Sequence, residues 1–348
     1  MKILMIGLGS IGQRHLRNLS NYFGKESEFL AYRVRGLQRT FSDSMKIREG
    51  ISVEKEFHIH SFSNLDEALL QKPQVVYVTN ITNQHIPCAL KAIQAGCDVF
   101  LEKPVSDKLE GISQLIRAVK ESGKIIFVGF QNRYHPVLIA LKEKLHDSHL
   151  GKIISVQSEV GERLTTMHTY ENYADTYMAR QDQGGGVIMN QQIHELDYLQ
   201  WLFGFPDSVF AQCGKNSNLS LDVEDYCDAI FQMNNDLGKF PVYAHADFFQ
   251  YPPKRYCKVI FENGWILADL LNAQLTVACG NDISTETFHE FERNHMFIDE
   301  MKDFIDSVKT RKTPAITLED GVMSMRMASA AKLSSKENRV VKLNEVDI

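Results

Sequence analysis

Several features are scarce in this sequence, and each scarcity excludes something. Its 348 residues hold only six cysteines, Cys88, Cys97, Cys213, Cys227, Cys257 and Cys279, and no two form a CxxC pair. Neither a disulfide framework nor a zinc site is signalled, so the cysteines read as reduced thiols and no metal is expected. Positive charge is not in excess either. A net charge of -6 leaves no footprint for a polyanion, and the basic cluster Arg33, Arg35, Arg39 is too local to suggest nucleic acid. No apolar run approaches the ~18 residues that would span a bilayer. The N-terminal stretch MKILMIGLGS is cut by glycines after a few apolar residues, and no A-x-A cleavage site follows. Internal repeats and low-complexity linkers are absent as well. The expectation is a cytoplasmic protein whose partners are small molecules, not nucleic acid or membrane.

What is present is globular: 44% hydrophobic and 24% charged residues, in a chain long enough to favour two domains. Residues 2 to 6, KILMI, form a continuous apolar run that leads directly into GLGSIG, and helical spacing follows from Gln13 to Leu19. This is the strand, turn and helix of a dinucleotide-binding unit. Gly7 permits the tight turn, Gly9 lets the backbone approach a pyrophosphate, and Gly12 lets the helix pack closely on the strand. Ser10 and Ile11 lie in the first helical turn, whose N–H groups and partial positive charge favour phosphate.

The second strand is EFLAYRV, residues 28 to 34. An NAD-preferring site places Asp or Glu at its end, ~20 residues past the glycines, to hold the ribose 2′-OH. Arg33 stands there instead, with Arg35 and Arg39 close behind, and a guanidinium suits a 2′-phosphate. The cofactor is NADP or NAD, with NADP favoured. Further strands at 74–79, 98–101 and 124–128 alternate with helical stretches at 64–71, 85–95 and 108–122, which argues a parallel, doubly wound sheet. After residue 150 strand-like segments follow one another without helices, which argues an antiparallel or mixed sheet. The fold class is thus α/β: an N-terminal Rossmann domain over 1–129 and a C-terminal α/β domain with a large open sheet over 130–348. A C-terminal helix over 295–309 is expected at the domain edge.

A second motif, VFLEKPV at 99–105, ends a strand in Glu102, Lys103 and Pro104. Carboxyl ends of strands in an open α/β sheet face the ligand crevice, so Lys103 points where the nicotinamide end of a dinucleotide lies. A third, GGGVIMNQQIHELD at 184–197, places His194 on a segment that otherwise reads as a buried helix. Taken alone, such a histidine is more often a hydrogen-bonded structural residue.

Taken together, GLGSIG, the stretch TNITNQHIPCALKAIQAGCDVFLEKPVS at 79–106, GFQNRYHP at 129–136 and the GGG-x3-N-x3-H-x2-D pattern resemble the glucose-fructose oxidoreductase, inositol dehydrogenase and rhizopine-catabolism (Gfo/Idh/MocA) family. The resemblance implies NAD(P)-dependent hydride transfer at a carbinol or ketone carbon of a sugar, cyclitol or nucleotide sugar, with surface-polysaccharide sugar biosynthesis as one setting. It implies a second-domain sheet with one face covered by helices and the other available for subunit contacts, hence a homodimer or homotetramer. Lys103 matches the lysine that touches both cofactor and substrate hydroxyl, and His194 matches the histidine assigned to proton transfer. Asn190 stands where many members have aspartate. It cannot accept a proton but can hydrogen-bond a hydroxyl, so the acid/base burden falls on His194 or Lys103.

The loop after Thr79, with Asn80, Asn83 and His85, lies along the cofactor in that family, and Asn80 replaces a proline often found there. Glu102 joins Lys103 on the cofactor side. On an unbroken helix Asn190, His194, Asp197 and Trp201 fall on one stripe, close enough for Asp197 to fix the tautomer of His194. Substrate candidates are Arg133 with its neighbour Tyr134, Tyr177, Arg180, Asn190, Gln191 and His194, with Tyr170 and Tyr173 beside them. The glycines 184–186 are expected to bring the chain close to the site. Two other functions stay open: a redox-neutral epimerase or glycosidase-type enzyme that returns the hydride, and a non-catalytic cofactor-binding regulator.

Overall fold

The computed structural model describes residues 1–36, 39–42, 47–48, 51–167 and 169–347. The chain divides into two compact units, one formed by residues 1–130 with 297–321, the other by 131–296 with 322–348.

In the first unit the strands are β1 (Lys2–Ile6), β2 (Glu28–Tyr32), the short ribbon β3 (Thr40–Phe41) and β4 (Ile47–Arg48), β5 (His60–Phe62), β6 (Val75–Val78), β7 (Asp98–Glu102) and β8 (Ile126–Gly129). Six of them form a sheet in the order β5-β2-β1-β6-β7-β8, with every pairing parallel. Ile3 to Ile6 and Val75 to Val78 have no exposed surface. Such unbroken apolar strands are what a parallel sheet buried on both faces requires. Chain order reverses direction between β1 and β6, and the crevice beside that point is where open α/β sheets bind ligands.

Residues 297–321 also belong to this unit, although the sequence places everything beyond 130 in a second domain. The reason is an apolar stripe on the helix Arg293–Thr310: Phe297, Met301, Phe304 and Ile305 are buried. Phe304 packs edge-on against Tyr77 and Phe100, at 5.6 and 5.7 Å between ring centroids. Arg311 then pairs with Asp98 at 2.7 Å, and the Val128 N–H donates to the Ile316 carbonyl at 3.2 Å.

The second unit is built on β9 (Ile153–Gly161), β10 (Ser208–Gly214), β11 (Tyr226–Asn235), β12 (Gly238–Asp247), β13 (Lys254–Phe261), β14 (Gly264–Asp269), β15 (Gln274–Cys279), β16 (Asp282–Thr287) and β17 (Val341–Lys342). Their order is β16-β15-β14-β13-β9-β12-β11-β10-β17. The sheet is mixed: β9 and β12 run parallel and the other pairings are antiparallel. Side chains alternate cleanly. Cys227, Ala229, Phe231 and Met233 of β11 are buried, whereas Ile230 is 42% exposed, as are Tyr243 of β12 (44%) and Ile154 of β9 (51%). One face is core and the other carries exposed apolar side chains. No helix among the described residues is long and apolar enough to cross a membrane.

Candidate functional site

The glycine turn is a steric solution. Gly7 has φ +91°, and a Cβ on it would stand 2.9 Å from the Asn80 backbone. A Cβ on Gly12 would stand 2.4 Å from the Gly7 carbonyl oxygen and 2.7 Å from Thr79 Oγ1. Thr79 closes this arrangement by donating its hydroxyl to the carbonyls of Gly7 (2.8 Å) and Ile6 (3.2 Å). Thr79 therefore holds the turn. Gly9 differs: open space surrounds the position its Cβ would occupy. It caps the helix Ser10–Phe23 with no side-chain hydrogen bond, and no acidic residue lies in the first turn. A helix N-terminus without a capping side chain, beside a glycine facing open space, fits a dinucleotide diphosphate.

At the end of β2, Arg33 is largely buried and forms an ion pair with Glu54. Ser52 and Ser61 also donate their hydroxyls to that carboxylate, at 2.8 and 3.2 Å. Burial opposes ionisation of Glu54, but the Ser52 hydroxyl and the Arg33 guanidinium outweigh it and hold its carboxyl below the ordinary value. The strand end thus carries a balanced pair, where the sequence suggested an uncompensated cation. Arg35 is exposed, and the Arg39 guanidinium lies over the Phe41 ring at 5.9 Å.

The EKP turn at the end of β7 is held from below. Glu102 is 6% exposed; its Oε1 meets His15 Nε2 at 2.7 Å, and its Oε2 accepts the Lys103 N–H at 3.1 Å. Both oxygens of Glu102, expected on the cofactor side, are thus engaged inside the unit. His85, also expected along the cofactor, is 1% exposed, with Nδ1 2.7 Å from the Pro104 carbonyl and Nε2 3.2 Å from the Asn80 carbonyl. Burial lowers its pKa, so the neutral ring donates from Nδ1 to Pro104. His85 thereby braces the loop after β6 against the turn that presents Lys103, whose peptide bond to Pro104 is cis and whose side chain is half-buried.

Beneath this turn lies a residue the sequence reading missed. Glu300 is fully buried, neither carboxylate oxygen has a hydrogen-bond partner among the described residues, and burial, with the Glu102 carboxylate nearby, pushes its pKa well up. The sequence signal was available: Glu300 interrupts the apolar stripe Phe297, Met301, Phe304.

In the second unit the segment before His194 is not a regular α-helix. Ile188–Gln192 is a π-turn, and the α-helix Ile193–Phe203 begins at its end. The wider turn breaks the even stripe expected from Asn190 through His194, and π-turns recur at functional sites. His194 is 6% exposed. Gln191 is also buried and its amide donates to Met167 Sδ at 3.8 Å, while Asn190 is half-buried.

The glycines are tightly packed. A Cβ on Gly185 would meet the Tyr177 and Met178 carbonyls at 2.4 and 2.6 Å, and one on Gly186 the Glu224 carboxylate at 2.3 Å. They clamp the two 3₁₀ turns Tyr177–Ala179 and Gln181–Gln183 onto the start of the π-turn; the sequence had suggested a looser approach to a ligand. Tyr177 is half-buried, and Arg180 is exposed with Nε 3.5 Å from Asp182. Tyr173 accepts the Ser220 N–H at 3.1 Å, which makes it part of this packing.

Two buried ion pairs hold the histidine helix. Arg133 forms a bidentate pair with Asp197, and Arg255 Nε meets Glu195 Oε1 at 2.7 Å. Asp197 is thus engaged by Arg133, and the Arg133 guanidinium, 6% exposed, supports the helix where a substrate anion was anticipated.

Three family models cover the chain: "Oxidoreductase family, NAD-binding Rossmann fold" over residues 1–130, "GFO/IDH/MocA C-terminal domain" over 138–267, and "Oxidoreductase family, C-terminal alpha/beta domain" over 268–343. The chain is 28% identical to myo-inositol 2-dehydrogenase of Thermotoga maritima, with 99% of each chain covered. It is 25% identical to inositol 2-dehydrogenase/D-chiro-inositol 3-dehydrogenase of Lacticaseibacillus casei, covering 99% of this chain and 95% of that one. Among solved structures, WlbA dehydrogenase from Bordetella pertussis, in complex with NADH and UDP-GlcNAcA, superposes with a TM-score of 0.78 at 20% identity, covering 100% of this chain and 99% of that one. With its parallel Rossmann sheet, its glycine turn shaped for a diphosphate and all three models in order, the chain belongs to the Gfo/Idh/MocA family of NAD(P)-dependent oxidoreductases.

Proposed function

We propose that this oxidoreductase interconverts a secondary alcohol and a ketone on the ring of a polyol, a cyclitol before a nucleotide sugar. The observation that carries the reading is that relatives matched along 99% of this chain are named as inositol dehydrogenases. A nicotinamide held by this unit would supply or accept the hydride. The residues Gly7, Gly9, Ser10, Ile11 and Gly12 bind the diphosphate, and Thr79 and Asn80 shape the wall beside it. Lys103 and His194 serve the reacting carbon: His194 takes the hydroxyl proton in oxidation and returns it in reduction, and Lys103 holds the alcohol oxygen. Asn190 and Gln191 are amides that give and accept hydrogen bonds without charge, which suits a neutral polyhydroxyl ring. Arg180 and Tyr177 are assigned to the rim of the substrate site.

The cofactor preference we propose is NAD. Glu54 already answers the charge of Arg33, and a 2′-phosphate would meet that carboxylate. Exposed Ile154, Ile230 and Tyr243 on one face of the second sheet support a homodimer or homotetramer, checked by light scattering.

The test is nicotinamide absorbance with NAD or NADP against a panel of inositols, free pyranoses and UDP-sugars. Turnover of an inositol with NAD is the expected outcome. Turnover of UDP-sugars alone overturns the substrate class, and product formed without net absorbance change means the hydride is returned.

A further inference from the structure

The register of β10 and β11 sets Cys213 directly opposite Cys227. The Cys213 N–H donates to Ser335 Oγ at 2.9 Å, and its carbonyl accepts from that hydroxyl at 3.0 Å. Both backbone groups of Cys213 therefore point away from β11, and the pair is of the non-hydrogen-bonded kind, in which opposed Cα atoms stand about 4.5 Å apart. That spacing lies inside the range a disulfide spans, about 4.4–6.8 Å. The two thiols are close enough that each shifts the ionisation of the other.

The other four cysteines have no such partner. Cys257 faces Ala268 and Ser158, Cys279 faces Gly264 and Asp282, and Cys88 and Cys97 are buried elsewhere. The pair is also asymmetric, with Cys213 half-buried and Cys227 fully buried. The Cys227 thiol, then the Ser335 hydroxyl and the Lys332 ammonium, favour the Cys213 thiolate against burial and the Glu224 carboxylate, and bring it down to about 7. The accessible sulfur is thus the nucleophile and the buried one, pushed up, is the resolving thiol.

We propose that Cys213 and Cys227 are a redox-reactive dithiol that closes reversibly to an intrachain disulfide under a peroxide or a small-molecule disulfide. With hydrogen peroxide, the Cys213 thiolate attacks one oxygen, the O–O bond breaks and hydroxide leaves, taking a proton from solvent to become water, giving a sulfenic acid. The Cys227 thiol then attacks that sulfur; the S–S bond forms, the S–O bond breaks and a second water carries off the remaining proton. Two electrons pass from the sulfurs to the peroxide, and a dithiol reductant returns them.

Closure reaches the candidate proton-transfer helix. Gln192 lies beside Cys227, where its amide favours the thiolate, and its Nε2 donates to the Ala244 carbonyl at 3.1 Å. Gln192 ends the π-turn two residues before His194.

The test uses the full-length reduced protein, treated with hydrogen peroxide, quenched in acid, unfolded and alkylated before mass analysis. The expected result is loss of the mass of two hydrogens, loss of alkylation at Cys213 and Cys227 together, a peptide linking them, and recovery with dithiothreitol. Cys227→Ser should leave Cys213 as a sulfenic acid that dimedone labels, and Cys213→Ser should leave Cys227 fully alkylatable. Full alkylation of both cysteines in the oxidised wild type, or oxidation of Cys213 while Cys227 stays alkylatable, overturns the proposal.

Discussion

Arg133 and Asp197 are joined by two parallel hydrogen bonds, Nε to Oδ2 at 2.9 Å and Nη2 to Oδ1 at 2.7 Å, between side chains 6% and 0% exposed. The pair ties the residues just after the Rossmann sheet to the helix that carries His194. Removing one partner leaves a buried charge without its counterion, so Arg133→Ala and Asp197→Ala should each destabilise by about 3–5 kcal/mol. Because the two act as one unit, the double variant should cost much less than the sum. Urea unfolding of the single and double variants measures this; additive losses would mean the residues act separately.

The glycine turn separates two functions that one motif combines. Gly12→Ala drives a methyl into the Gly7 carbonyl and Thr79, so it should lower thermal stability. Gly9→Ala meets no atom of the described residues, so it should melt like the wild type yet bind NAD at least tenfold more weakly, since the methyl fills space a diphosphate needs. Calorimetric titration beside a thermal melt distinguishes them. Wild-type NAD affinity in Gly9→Ala would remove the diphosphate from this turn.

Lys103→Ala and His194→Ala should each keep the melting temperature and NAD affinity but lower turnover by about 10²-fold or more. Near-normal turnover in both would end their assignment to the reacting carbon.

How far the chain could be read in advance depended on which interactions local pattern encodes. The apolar runs at β1 and β6 and the GLGSIG turn are short-range signals, and the sheet they predict is the sheet observed. The mixed second sheet was legible for a similar reason, as successive strand segments without helices between them. Residues 297–321 were misplaced because their partners, Tyr77, Phe100 and Asp98, lie some two hundred positions upstream. The same limit applies at the site. Arg33, Arg133 and Asp197 were visible as charges, but what a charge faces is a long-range fact, and each turned out to face a protein counterion. The π-turn at Ile188–Gln192 was hidden because its sequence fits an α-helix equally well.

His245 offers a pH-dependent prediction on the open face of the second sheet. Its Nε2 lies 2.9 Å from Asp247 and its Nδ1 2.7 Å from Asp228, and these carboxylates, Asp247 foremost, raise its pKa from 6.5 to about 9 against partial burial. A raised folded value means that the protonated ring stabilises the fold fully below 6.5, and that this contribution fades as pH climbs through about 9. His245→Gln should therefore melt below the wild type at low pH and converge with it above that range. A constant gap across the series would show that the ring acts by packing.

Glu54→Gln tests what decides the cofactor. In the wild type the Glu54 carboxylate neutralises Arg33, and the same negative charge would repel a 2′-phosphate. Replacing it with an amide of equal size keeps one of the two oxygens to which Ser52 and Ser61 donate while releasing the guanidinium charge. One charge–phosphate contact of this kind is worth about 1.4 kcal/mol or more, so the ratio of kcat/KM for NADP over NAD should rise about tenfold. The gain should come through KM, because the 2′ position is remote from the hydride, and it should shrink as salt is added if the contact is solvent-accessible. Arg33→Ala should cancel the gain in the double variant while leaving NAD turnover close to the wild type. If Glu54→Gln leaves the ratio unchanged, the pair at the end of β2 is structural and the preference is set elsewhere.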